Sequence, residues 1–564
     1  MRTVVCGDVR LAVFEEGPPD APTVILVHGF PDTHEVWDDV AEVLAERFHV
    51  VRYDVRGAGR SGAPRGTDGY RLERLKDDFF AVADAVSPDR PVHVAAHDWG
   101  SIQAWEAVTE PGAHERIASY TSISGPCLDH VAYWLRERYR RPTPRGLKEA
   151  LAQQLRSWYI LAFHTPVLPE LAWRLVLTKR WPGFLRRAEG VRARPGHPAP
   201  TMASDAAHGI RLYRANFRAR MSRPRERRTE VPVQVVTPVR DHYVTPALAE
   251  GLQRWAPKLW RRRLYTGHWG ALLRDGAQVA RMVAELADHV AGKPETHALA
   301  RARLGTERGP LVVVTGAGSG IGRATARAFA ARGAEVVVCD LDEKAARETG
   351  GHAYQLDVSD EAAMRKFADE VVARHGVPDV VVNNAGVGHA GTFLSTTAQE
   401  WQRVLDVNLR GVIHGCRVFG QLLAERGEGG HIVNVASAAA YLPAKSLAAY
   451  ATSKAAVLML SDCLRAEVSA RGIGVSTICP GLVNTNITRT TTFSGTSAEE
   501  QARRQANATR AYQRRGFGPE KVAAEIVRAV ERNKATVPVT PEAKAALALS
   551  RISPAALRAA VRFT

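Results

Sequence analysis

Residues 96–100 read Ala-His-Asp-Trp-Gly. A short apolar run ending at Ala96 leads in, and the small-residue stretch Gly100–Trp105 leads out. This predicts a strand, a sharp turn and a helix, the setting that holds a nucleophile exposed at the top of a sheet. Here the nucleophile is Asp98. A serine attacking a saturated carbon would leave an ether that nothing nearby could cleave. A carboxylate leaves an alkyl ester, whose own carbonyl water can then attack. An aspartate at this turn therefore points to substrates with an electrophilic sp3 carbon, such as epoxides or alkyl halides.

Asp98 has partners downstream. Asp241 lies in Pro-Val-Arg-Asp-His, just after the apolar run Val231–Val236, and His268 lies in Thr-Gly-His-Trp-Gly. Taken singly, either is an ordinary surface or capping residue. Nucleophile, acid and histidine in that order, each behind a strand, form a catalytic set. His28-Gly-Phe-Pro31 follows another apolar run, so the backbone amides of Phe30 and Trp99 are placed to hold a developing oxyanion.

A second set of parts begins at Val312. Thr315-Gly316, then Gly320-Ile321-Gly322, follow a strand and open a helix, where exposed amides and the helix N-terminus receive phosphates. Asp340 ends the next strand and suits the two ribose hydroxyls of a dinucleotide. Positions 319 and 341 are Ser and Leu, so no cation awaits a 2′-phosphate there, and NAD is expected rather than NADP. Tyr450 and Lys454 are four apart and share one helical face. That spacing predicts that Lys454 lowers the Tyr450 pKa, letting the phenol exchange a proton near neutral pH. Ser437, thirteen residues before Tyr450, is placed to hold a substrate oxygen.

These parts need scaffolds. At 564 residues the chain is too long for a single core. Strand and helix patterns alternate over residues 1–290, interrupted by a Trp-, Arg- and Pro-rich helical insert at about 129–222. A polar, basic linker follows at 291–308. A strictly alternating pattern fills 309–564 and ends in a basic, weakly amphipathic tail from Lys544, expected to pack on the second domain or a partner subunit. The fold class is α/β twice over: a sheet domain with a helical cap, then a doubly wound parallel sheet. No internal repeat is present.

The six cysteines are scattered without a CxxC pair, so no metal site is expected and a reducing cytosol is the simplest compartment. No stretch reaches the length of a membrane span, and the first residues do not read as a secretory signal. The formal charge is +17. Between Val131 and Glu230, 22 Lys and Arg stand against 7 Asp and Glu, so nearly all the excess sits in that one segment. A solvated face, an acidic substrate and an anionic membrane surface all fit that imbalance. No recognised nucleic-acid-binding motif accompanies it.

With those residues in view, positions 20–285 resemble the epoxide hydrolases of the α/β-hydrolase family. His28-Gly-Phe-Pro, His97-Asp-Trp-Gly and Gly267-His-Trp carry the resemblance. It implies two cap tyrosines that hold the epoxide oxygen, matched by Tyr159 in Ser-Trp-Tyr and Tyr213 in Leu-Tyr-Arg. Haloalkane dehalogenases share the Asp turn, but Phe30 stands where they usually carry a halide-binding residue. Positions 310–540 resemble short-chain dehydrogenases/reductases through Asp357-Val358, Asn383-Asn384-Ala385-Gly386, Asn408, Ser437, Tyr450-x3-Lys454 and Pro480-Gly481. The resemblance implies cofactor contacts from Gly316, Ser319, Gly320, Ile321, Gly322, Asp340, Asp357, Val358, Asn384, Ala385, Gly386, Tyr450, Lys454, Pro480, Gly481, Val483 and Thr485. It also implies a proton-relay role for Asn408 and assembly into a homo-oligomer. The whole chain resembles bacterial fusions of the two families. The expected partners are a small-molecule or lipid epoxide or alcohol, with one domain serving only as a docking module as the competing reading.

Overall fold

A computed structural model describes residues 1–305, 309–442, 444–553 and 555. The chain divides into two compact units, Met1–Thr306 and Glu307–Thr564.

The first unit is built on β1 (Arg2–Cys6), β2 (Val9–Glu16), β3 (Thr23–Val27), β4 (His49–Tyr53), β5 (Val92–His97), β6 (Ile117–Ile123), β7 (Val233–Pro238) and β8 (Leu259–Leu264). They form one sheet in the order β1-β2-β4-β3-β5-β6-β7-β8. β1 and β2 are antiparallel to their neighbours and the rest run parallel. Strands such as β3 and β5 are buried along their whole length, which explains why they read as continuous apolar runs. The register sets Ala96 beside Val27 and His97 beside Ile123. The turns after β3, β5 and β6 therefore meet at one edge, and those after β7 and β8 follow along it. Between β6 and β7 the chain leaves the sheet for a run of helices from Leu128–Arg140 to Met202–Ser222. This is the predicted cap.

The predicted linker is partly ordered structure. Thr296 caps the helix His297–Ala302 through its hydroxyl, Leu299 packs with Trp260 and Leu286, and the Trp260 indole donates to Glu295 at 2.9 Å. A Leu-Ala pair inside a basic stretch was enough to anchor it to the first unit. Residues 306–308 of the linker lie outside the described residues.

The second unit contains β9 (Leu311–Thr315), β10 (Glu335–Asp340), β11 (His352–Gln355), β12 (Val380–Asn383), β14 (Gly430–Val435), β15 (Ile473–Cys479) and β17 (Thr536–Pro538) in one parallel sheet, ordered β11-β10-β9-β12-β14-β15-β17. A two-stranded pair, β13 (His389–Ala390) and β16 (Thr492–Phe493), stands apart. Strand order reverses between β9 and β12, so the crevice for a dinucleotide opens beside the glycine turn after β9. The tail forms a helix, Pro541–Ile552, whose Ala543 and Ala546 are buried and whose Ala543 carbonyl accepts from the Tyr441 hydroxyl at 3.0 Å. Residues 556–564 of the tail are outside the described residues.

Candidate active sites

Asp98 sits between β5 and the helix Trp99–Val108 with φ 49° and ψ −125°. This strained backbone aims its side chain away from both elements. The strain is held by close packing: a Cβ on Gly125 would fall 2.1 Å from the Asp98 carbonyl oxygen, so only glycine fits opposite the turn. Asp98 Oδ2 accepts from the Phe30 amide at 2.8 Å, and the Trp99 amide also reaches the carboxylate. Both predicted oxyanion donors thus reach the Asp98 carboxylate, Phe30 at Oδ2. His268 Nε2 faces Asp98 Oδ1 at 3.7 Å. His268 Nδ1–H donates to Asp241 Oδ2 at 3.0 Å. The other Asp241 oxygen accepts from the Tyr243 and Val244 amides at 2.7 and 3.0 Å, which fixes the carboxylate.

The electrostatics follow from burial and charge. Burial pushes Asp98 up to about 6, against the pull of His268 and the two amides. Burial alone would lower His268. The Asp241 carboxylate, by charge and hydrogen bond, and the Asp98 charge outweigh it and raise the imidazole to about 9. Tyr159 and Tyr213 come from two cap helices, Trp158–Phe163 and Met202–Ser222, with ring centroids 5.9 Å apart. Burial, reinforced by the Asp98 charge, holds both phenols well above their ordinary value, so both stay protonated donors. Phe30, Phe163, Trp173 and Trp99 pack edge-on around Tyr213 and one another, giving the site an apolar lining.

Three groups beside this site were not found from the sequence. Asp32 is buried and accepts from the cap residue His197 and from the Trp269 indole, both at 2.9 Å. Glu189, at the end of a cap helix, is buried against the His268 turn and accepts from the Gly270 amide at 3.1 Å. The Tyr243 ring lies 5.0 Å from that of His268. Asp32 directly follows the quoted His-Gly-Phe-Pro run, so its position was a usable signal. Glu189 and Tyr243 have no local pattern to mark them.

In the second unit, Gly316 turns with φ 61°, and a Cβ there would lie 2.6 Å from the Ala385 Cα. Asn384 clamps this turn by donating to the Thr315 and Gly316 carbonyls at 3.0 Å. Ser319 precedes the helix Gly320–Ala330, which contains Ile321 and Gly322. Asp340 ends β10 and accepts from the Gly318 amide at 2.8 Å. Asp357 is exposed and Val358 buried on the segment after β11. Pro480, Gly481 and Val483 follow β15, and Thr485 lies within van der Waals reach of Gly320. Gly386 lies close to both Asn408 and Lys454, which brings the predicted cradle to the predicted catalytic residues.

Tyr450 and Lys454 share the helix Ala448–Val468, and Ser437 hydrogen-bonds the Tyr450 phenol. Asn408, fully buried in a π-helical turn, exchanges hydrogen bonds with the Val387 backbone at 2.8 and 3.0 Å. One expectation needs correction. Burial pushes Tyr450 up to about 12, and Lys454 does not counter it. The Lys454 ammonium donates to the Val435 carbonyl at 3.0 Å and stands 5.8 Å from the Tyr450 ring centroid. Burial also brings Lys454 down to about 8.

The fold also gathers Glu335, His352 and His375, one ligand atom of each lying within 4.8 Å of the others. His375 Nδ1 lies 3.0 Å from Glu335, and the Tyr354 hydroxyl lies 3.0 Å from His375 Nε2. The cluster joins the start of β10 to the end of the helix Glu361–His375, at the end of the sheet away from the glycine turn. Three residues 17 to 40 positions apart gave no motif.

The fold and these sites define an α/β-hydrolase-type unit joined to a dehydrogenase-type unit. Residues 22–275 match the alpha/beta hydrolase fold family and residues 310–493 the short chain dehydrogenase family. The chain is 48% identical over 575 positions to the probable oxidoreductase EphD of Mycobacterium tuberculosis, covering 98% of this chain and 97% of that protein. It belongs to the same family of two-unit fusion proteins. The second unit alone is 42% identical over 190 residues to the 3beta-hydroxysteroid dehydrogenase 1 of Eggerthella lenta, spanning 32% of this chain and 73% of that one. A short chain dehydrogenase/reductase from Burkholderia phymatum, solved in complex with NAD, is 33% identical over 43% of this chain and 92% of its own, with a TM-score of 0.38.

Proposed function

We propose that the first unit hydrolyses epoxides to vicinal diols and that the second moves hydride between an alcohol carbon and NAD. The observation that carries the first half is the pair Tyr159 and Tyr213, one half-buried and one buried phenol beside a nucleophilic aspartate. Asp98 Oδ1 attacks an epoxide carbon, the C–O bond breaks, and a tyrosine proton passes to the alkoxide. The resulting ester leaves Oδ2 as its carbonyl oxygen, on the Phe30 and Trp99 amides. Esterification removes the Asp98 charge that helps hold His268 protonated, so the imidazole sheds its proton more readily. Neutral His268, oriented by Asp241, then takes a proton from water, which attacks the Asp98 carbonyl carbon. The proton that His268 sheds restores the tyrosinate to tyrosine. As the acyl C–O bond breaks, the departing alkoxide takes the proton of the new Asp98 hydroxyl, so the diol leaves with one original Asp98 oxygen and the carboxylate is regenerated. Halide chemistry gives no task to two protonated tyrosines.

In the second unit the glycine turn after β9, the helix N-terminus and the Asp340 carboxylate suit a dinucleotide without a 2′-phosphate. Bound NAD would supply the hydride acceptor or donor. This chain's own residues do the rest. Ser437 holds the substrate oxygen, and the Tyr450 phenol gives or takes its proton. Lys454 and Asn408, both near Gly386, complete a polar path behind Tyr450. With Tyr450 protonated at neutral pH, the unit is set to donate a proton to a carbonyl, and oxidation becomes easier as pH rises.

Fusion raises the local concentration of one unit's product near the other, which supports sequential action of epoxide to diol to hydroxyketone. Incubating the chain with a fatty-acid epoxide, with and without NAD, tests both halves by mass spectrometry. Diol without NAD and hydroxyketone with it are expected. Hydrolysis with no NADH formed from the diol would separate the two activities.

A further inference from the structure

The cap's outer surface inverts the usual pattern of a helix in a water-soluble fold. In the helix Pro144–Arg156, Leu147, Leu151 and Leu155 recur every four residues and are exposed, whereas Gly146, Ala150 and Gln153 are buried. On the next helix Trp158 and Leu161 point outward, 68% and 77% exposed, while Ile160 is buried and Tyr159 packs inward. Among the described residues, 12 of the 23 exposed large apolar side chains fall within 139–177, a fourteenth of the chain. Such a density is not the ordinary scatter of surface apolar groups.

The charges around it have one sign. Every one of the eleven Lys and Arg residues between 139 and 192 is exposed, and none of the three acidic residues is. Glu149 is half-buried between Arg138 and Arg145, Glu170 is paired with Arg214, and Glu189 is buried beside His268. A segment of exposed Leu and Trp side chains interspersed with exposed cations, and without an exposed acid from 139 to 192, complements the boundary between acyl chains and anionic headgroups. A water-soluble partner of acidic character would match the cations but would leave the leucines without a role.

We propose that the outer face of the cap docks on an anionic phospholipid surface. Trp158, Leu161 and Leu168 enter the acyl boundary, and Lys179, Arg186 and Arg187 meet the headgroups. The docking helix is also the one that carries Tyr159 and Phe163 into the Asp98 site, so the membrane-facing surface is the back of the pocket wall. Docking stands independently of the reaction the pocket performs.

Vesicle sedimentation of the full-length chain tests it, using phosphatidylglycerol–phosphatidylcholine mixtures against pure phosphatidylcholine. Binding is expected to the anionic vesicles and to weaken as salt rises. Leu161→Gln with Leu168→Gln, at two exposed positions, is expected to weaken binding about tenfold or more while circular dichroism stays native. Arg186→Glu with Arg187→Glu is expected to weaken it by a similar factor and flatten its salt dependence. No sedimentation with anionic vesicles, or binding indifferent to the Leu pair, overturns the proposal. Sedimentation velocity without lipid gives the rival occupant: self-association abolished by the Leu pair, with no vesicle binding, would make this face an interface between copies of the chain.

Discussion

The two units solve the same problem, a polar reaction in a dry site, with opposite electrostatics. In the first, the charged groups face one another: Asp98 faces His268, His268 is held by Asp241, and Asp241 by two amides. There burial raises Asp98 against the pull of His268, and the Asp241 and Asp98 carboxylates raise His268 against burial. In the second, Tyr450 and Lys454 are displaced in opposite senses mainly by burial, and no carboxylate faces them among the interactions that shift them.

The largest expected separation of the two comes from Asp98→Ala. It should lower epoxide hydrolysis by at least about 10⁴-fold, since loss of the nucleophile leaves only binding and oxyanion donors. NAD reduction by a supplied alcohol should be unchanged in the same sample. The converse is Tyr450→Phe, which should cost the dehydrogenase about 10³-fold and leave hydrolysis intact. Equal loss of both activities in either variant would show that the sites are not independent.

Much of this contrast was legible in the sequence. The Asp98 turn, Asp241, His268 and the glycine cradle sit in local patterns, because strand-turn-helix junctions and backbone-amide sites impose fixed spacing on few residues. Groups brought in by long-range packing left no such trace. Glu189 reaches the His268 turn from a cap helix, and Glu335, His352 and His375 meet only because β10 and β11 begin, and a helix ends, at one edge. The Lys454 expectation failed for a related reason. Spacing predicts a shared helical face, but it does not show that the Val435 carbonyl captures the ammonium.

Smaller effects sharpen the comparison. Tyr213→Phe should slow ester formation by about 10²-fold, with ester hydrolysis barely affected, because the phenol acts on the departing alkoxide and not on water. Single-turnover kinetics with enzyme in excess separates the two steps. The pH response follows from the sign of the Asp98 shift. The carboxylate must be ionised to attack, and its value is raised to about 6. The rate of ester formation should therefore fall about tenfold per pH unit below 6 and level off above it. A limb centred near 4 would mean that burial does not govern the nucleophile.

One measurement reaches the covalent step itself. In heavy-oxygen water, with enzyme in excess over a fatty-acid epoxide, a single turnover should place the label in the proteolytic peptide containing Asp98 and leave the diol unlabelled. Label appearing directly in the diol, with the Asp98 peptide unchanged, would contradict an ester intermediate and with it the proposed role of the first unit.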